Sequence, residues 1–181
     1  MMTLVFGGSG SGKSEYAENL LISSGQGPYV YVATMWFDPN DAECVRRIER
    51  HRKMRQNKGF FTLECPVDLE KLPIEPGSRV LLECLSNLTA NEMFAEPGPR
   101  TVNETVEKIC RGLERLMELS EEVCVVSNDI FGDGITYDEG TIAYMEALGA
   151  VNRFLAARAD RVVEVVYSIP VEKGKKKDEC D

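Results

Sequence analysis

A mostly parallel α/β sheet flanked by helices is the fold this sequence predicts, and three observations predict it. The stretch LVFGGSGSGKSEYAENLL (Leu4–Leu21) runs from an apolar strand through a glycine-rich loop into a helical pattern. The segments Thr3–Phe6, Tyr29–Thr34, Arg79–Cys84, Val123–Ser127 and Val162–Tyr167 are short and continuously apolar, as strands buried on both faces are. Helical patterns alternate with them, and such alternation implies parallel strands joined by helical crossovers.

Taken in order, the first strand ends in Gly7, Gly8, Ser9, Gly10, Ser11, Gly12, Lys13 and Ser14, which fits G-x-x-x-x-G-K-[ST]. Glycines let the backbone turn several N–H groups toward one anion, Lys13 can reach terminal phosphates, and the Ser14 hydroxyl can ligate Mg²⁺. Tyr16, Ala17, Leu20 and Leu21 then recur at helical spacing, so a helix N-terminus faces the phosphate. A glycine-rich turn without a ligand is the plain alternative. Strand, loop, lysine, serine and helix in this order favour a nucleotide site of the P-loop NTPase type.

Further along, Ala42–Lys58 reads as a basic helix and Phe60–Glu64 as a small strand. Thr101–Leu119 reads as a helix whose Thr101 and Glu104 form a capping box, with Val106, Ile109, Cys110, Leu113 and Met117 on one face. Asp138–Arg158 has a stripe of Tyr144, Leu148, Val151 and Leu155. The irregular surface segment is Met93–Thr101, and residues 173–181 read as a solvated mixed-charge tail. Residues 1–181 are expected to form one domain, since the chain is long enough for a sizeable core and no linker divides it.

A formal net charge of −9 argues against a broad nucleic-acid surface, which needs clustered cations. No apolar run approaches the length of a membrane span. The start MMTLVF has no basic leader and enters the first strand directly, so a cytoplasmic protein is expected. Cys44, Cys65, Cys84, Cys110, Cys124 and Cys180 include no C-x-x-C pair, and read as reduced cysteines rather than disulfides or a zinc site.

Ligands of open α/β sheets sit at the carboxyl ends of strands. The residues found there are Thr34, Met35 and Trp36 after the second strand, Glu83 at the third, and Asn128 and Asp129 after the fourth. Glu83 and Asp129 are both candidates for the carboxylate that sits with Ser14 near Mg²⁺. Glu83 is favoured, and a strand-end acid with no metal is the alternative.

His51 is the sole histidine, in DAECVRRIERHRKMRQNKGFFTLECP. On a helix Arg47, His51 and Arg55 share one stripe, with Arg50, Arg52 and Lys53 adding positive charge. Nearby cations disfavour protonation of an imidazole and could neutralise a departing pyrophosphate, which suits attack on an α-phosphate. An exposed basic helix with an incidental histidine is the other reading.

These segments together resemble the bifunctional adenosylcobinamide kinase/adenosylcobinamide-phosphate guanylyltransferase family of cobalamin biosynthesis. The resemblance rests on GGSGSGKS (Gly7–Ser14), YVAT (Tyr31–Thr34), RIERHRKMR (Arg47–Arg55), TLECP (Thr62–Pro66), LLECLSNLTAN (Leu81–Asn91), SNDIFGDGI (Ser127–Ile135) and GAVNRFLAARADRV (Gly149–Val162). It implies that GTP guanylylates His51. It also implies that Thr34, Met35 and Trp36, with Arg52, Lys53, Met54 and Arg55, line the nucleotide, and that Glu64 and Glu83 contact the guanine nucleotide. The implied reaction phosphorylates adenosylcobinamide with GTP or ATP, then transfers GMP to that phosphate, in a homotrimer. Two other readings are a P-loop kinase of another small alcohol and a non-catalytic nucleotide-dependent switch.

Overall fold

The computed structural model describes residues 1–37, 39–96, 98–132 and 134–173, apart from the side chains of Cys44, Arg47, His51 and Met54. Of the expected tail 173–181, Lys173 ends the last strand instead, and residues 174–181, with Cys180, lie outside the described residues.

The elements are β1 (Met2–Gly7), α1 (Lys13–Ser24), β2 (Tyr29–Ala33), α2 (Ala42–Arg55), β3 (Phe60–Glu64), a 3₁₀ turn (Leu69–Lys71), β4 (Arg79–Glu83), α3 (Leu85–Phe94), α4 (Val102–Leu119), β5 (Glu122–Asn128), α5 (Glu139–Arg158), β6 (Arg161–Val166) and β7 (Ile169–Lys173). The strands make one sheet in the order β3-β2-β4-β5-β1-β6-β7. All neighbours pair in parallel except β6 with β7. The carboxyl ends of the parallel strands therefore gather along one edge, which is where this architecture places ligands.

The period of two along each strand sorts the core into two layers. Leu4, Val32, Leu82 and Val125 point to the face covered by α3, α4 and α5, where Leu88, Leu113, Leu148 and Val151 are fully buried. Val5, Tyr31, Leu81 and Val126 point to the other face, where Ala17 and Leu21 of α1 meet them. The capping box is formed: Glu104 N donates to Thr101 Oγ1 at 3.3 Å and Thr101 N to Glu104 Oε2 at 2.9 Å. At the amino end of the sheet, buried Arg79 donates to Glu122 and, at 2.9 Å, to Ser24 Oγ, and pairs with Glu121 at 2.7 Å.

Most strand ends shift by one residue from the sequence expectation, and β6 stops at Val166, so Tyr167, expected in that strand, lies in the turn to β7. β4 stops at Glu83, because Cys84 turns into α3 as its N-cap. That helix is hidden in the sequence because polar Ser86, Thr89 and Glu92 are buried along with Leu85, Leu88 and Met93 while Ala90 and exposed Phe94 lie on the open face, so the hydropathy has no helical period. The irregular segment thus begins at Ala95, not Met93. α2 ends at Arg55 rather than Lys58: Lys58 N bonds to Arg55 O at 2.9 Å, Gly59 takes φ +73°, and Lys58 Nζ reaches buried Glu18 at 2.8 Å. β7 has no counterpart in the sequence expectation, since its five residues are all exposed and include Pro170. It is held by ion pairs from Glu172 to Arg161 and from Lys173 to Glu164.

Candidate active site

The loop after β1 is fixed by contacts that demand glycine at two positions. A Cβ on Gly7 would lie 2.5 Å from Val165 O, and one on Gly12, itself at φ +91°, would lie 2.6 Å from Ser168 Oγ. Tyr16 N bonds to Gly12 O at 3.1 Å and opens α1. Lys13 is buried, and its Nζ donates to Gly8 O at 3.0 Å, which folds the cation back along the loop.

Ser14 Oγ donates to Glu83 Oε1, so the end of β4 reaches the phosphate loop across β5. Burial pushes the Glu83 carboxyl up to about 7, and Glu18 adds to the rise, while the Ser14 hydrogen bond, Lys13 and Arg55 oppose it. Its Oε2 is buried with no hydrogen-bond partner. A hydroxyl and an unsatisfied buried carboxylate oxygen beside a phosphate loop fit Mg²⁺, which keeps most of its waters and needs only one or two protein oxygens. Among the described residues no cluster of three or more His, Cys, Asp or Glu side chains could hold a metal. That excludes an all-protein cage there but not such a site. Asp129, the other candidate, lines the same cavity from beyond β5, but the Ser14 hydroxyl bonds to Glu83. The Asp129 N bonds to Gly7 O at 3.0 Å, and its Oδ1 accepts from Phe131 N at 3.3 Å.

Two cavities adjoin, with Glu83 and Cys84 lining both. The first follows the phosphate loop and is closed by Arg50 of α2 and by Asn128 and Asp129 beyond β5. The second lies between α2 and the ends of β2, β3 and β4, and takes in Met35, Arg52, Arg55 and Glu64. Arg52 and Glu64 are paired across it at 3.1 Å. Arg55 is buried with its guanidinium carbon 3.4 Å from the centroid of the Tyr31 ring, and its Nη1 has no hydrogen-bond partner. In sequence His51 falls between Arg50, which lines the first cavity, and Arg52, which lines the second. The His51 and Met54 side chains lie outside the described residues.

Five expected nucleotide residues do not line either cavity: Gly7 and Gly8, which precede the lining part of the loop, and Thr34, Trp36 and Lys53. Thr34 is 0% exposed, because its Oγ1 donates to Cys84 O at 2.8 Å and accepts from Cys84 N at 2.7 Å; it clamps the end of β2 to the end of β4 instead. Trp36 is 54% exposed and Lys53 is exposed, and neither is among the lining residues. Conversely, Asn87 and Asn128 line the cavities but are not singled out as ligands by the sequence. Asn128 stands at a strand end, and that position is the available signal. Asn87 belongs to α3, whose existence the sequence conceals.

A phosphate loop at the carboxyl edge of a mostly parallel sheet, with a strand-end acid on its serine, defines a P-loop nucleotide-binding protein. A solved ATPase domain shares this fold: the match covers 90% of this chain and 68% of that one, with a TM-score of 0.50 at 13% identity. The model of the family "Cobinamide kinase / cobinamide phosphate guanyltransferase" matches residues 3–173, and the chain belongs to this family of transferases. Among its relatives are the bifunctional adenosylcobalamin biosynthesis proteins CobU of Escherichia coli and of Salmonella typhimurium. Both are 33% identical, over 95% of this chain and 99% of the relative. The bifunctional adenosylcobalamin biosynthesis protein CobP of Pseudomonas aeruginosa is 31% identical over 94% of this chain and 96% of its own.

Proposed function

We propose that this protein phosphorylates the hydroxyl of adenosylcobinamide and then carries GMP from GTP to the new phosphate through His51. The observation that supports this best is the pair of adjoining cavities, one around the phosphate loop and one beside it, with basic residues of the histidine-bearing helix on both. In the kinase step the acceptor oxygen attacks the terminal phosphorus of GTP or ATP and the bond to the β-phosphate oxygen breaks. The loop N–H groups and Lys13 hold and neutralise the departing diphosphate. Ser14 and Glu83 would hold Mg²⁺, which when bound offsets charge on the phosphate oxygens. In the second reaction the His51 imidazole attacks the α-phosphorus of GTP, pyrophosphate leaves, and the substrate phosphate then displaces the imidazole. One difficult transfer is divided into two. Arg50, Arg52 and Arg55 supply the positive charge around both exchanges. The resemblance extends the proposal to a cytoplasmic homotrimer. Among the described residues no helix is long and apolar enough to cross a membrane.

Incubation with GTP labelled at the α-phosphate tests the histidine step. The expected product is a covalent GMP adduct, labile in acid and stable in base. His51→Ala should lose both the adduct and formation of adenosylcobinamide-GDP, while adenosylcobinamide is still phosphorylated. Label retained on the His51→Ala protein would refute the assignment.

A further inference from the structure

The connection from β6 to β7 has two residues, Tyr167 and Ser168, and both have positive φ, 49° and 64°. Hairpin turns of this length take such angles readily with glycine or asparagine. A tyrosine there is held in a sparsely populated conformation. Its side chain does nothing for the core, since Tyr167 is 90% exposed. The turn is nevertheless fixed in place. Ser168 N donates to Ser11 O at 2.7 Å, and Gly12 is so close that a Cβ there would meet Ser168 Oγ at 2.6 Å. An exposed aromatic ring in a strained backbone is thus anchored directly to the phosphate loop.

The loop has two sides. Glu83, Asn128, Asp129 and Arg50 bound its cavity toward β4, β5 and α2. The β6–β7 turn abuts it at Ser11 and Gly12, from the β6 side. We propose that a nucleotide whose terminal phosphates meet Lys13, Ser14 and Glu83 sends its ribose and base toward the turn, and that Tyr167 is the stacking platform for the purine base of this phosphoryl donor, a site that rests on the kinase reading above. A ring face accepts adenine and guanine alike, because every base has a π surface.

Titration calorimetry with MgATP and with magnesium tripolyphosphate, which has the phosphates but no base, tests this on wild type, Tyr167→Ala, Tyr167→Gly and Tyr167→Phe. Removing the ring is expected to weaken ATP about tenfold. Tripolyphosphate should change by less than about twofold, and Tyr167→Phe should bind ATP like wild type. In the kinase assay the donor KM should rise with kcat kept. Tyr167→Gly should also melt higher than wild type, because glycine relieves the positive φ. ATP affinity unchanged in Tyr167→Ala overturns the proposal, as does a parallel loss of tripolyphosphate. If wild type binds neither probe, the phosphate-loop reading itself fails, and the platform with it; binding of both probes with no effect of the ring sinks the platform alone.

Discussion

Glu83 is half-buried where the two cavities meet, with one oxygen on Ser14 and the other buried and unpaired. Its folded-state value of about 7 lies above the ordinary 4.5, so the native protein holds that proton more tightly than the unfolded chain does. Stability associated with the neutral form is therefore present below about pH 4.5 and is lost as pH rises to about 7. Glu83→Gln keeps the shape and removes the charge. In chelator and without nucleotide, the variant should gain roughly 1–3 kcal/mol over wild type between about pH 5 and about pH 8. Urea melts at both pH values check this, and a gap independent of pH would contradict it. The same variant should bind magnesium triphosphate less well, which makes Glu83 a residue whose cost to the empty fold serves its ligand.

Among the elements, α4 shows how close packing reverses a helix rule. Gly112 sits mid-helix, where alanine ordinarily stabilises by about 1 kcal/mol. Here a Cβ would lie 2.9 Å from Leu69 Cβ and 3.0 Å from Glu70 N of the 3₁₀ turn. The second contact is backbone and cannot rotate away. Gly112→Ala is expected to lower stability by about 1–3 kcal/mol, the range for overpacking, in denaturant melts, with the capping box and the helix content unchanged. A stabilised variant would mean that the turn moves freely against α4.

At the scale of the whole molecule, what is legible in the sequence depends on whether a segment answers to local pattern or to its neighbours. The inner strands β1, β2, β4 and β5 announce themselves because burial on both faces makes them continuously apolar. α4 does so through its cap and stripe. α3 does not, because its buried face holds Ser86, Thr89 and Glu92 while its open face holds Ala90 and Phe94, so hydropathy does not follow burial, and with it go Asn87 and the true end of β4. The phosphate loop is readable since its chemistry is local. Thr34 is not: its hydroxyl is engaged by Cys84, 50 residues away. The choice of Glu83 over Asp129 as the partner of Ser14 requires the strand order, in which β5 separates β4 from β1. The proposed trimer is a property of this scale too. Light scattering should give three times the 20.2 kDa mass of the chain, and a monomeric mass at working concentration would count against it.

The antiparallel strand β7 limits how such an assembly can be built. It closes one edge of the sheet, and it brings Pro170, which has no N–H to offer, together with Glu172 and Lys173, already paired with Arg161 and Glu164 of β6. An edge with a missing donor and fixed charges is a poor template for a further strand. Copies of this protein that meet do not do so by extending the sheet past β7, which leaves helical faces, loops and the opposite edge at β3. The β6–β7 border is then protected from the ladder-like self-association to which open parallel sheets are exposed.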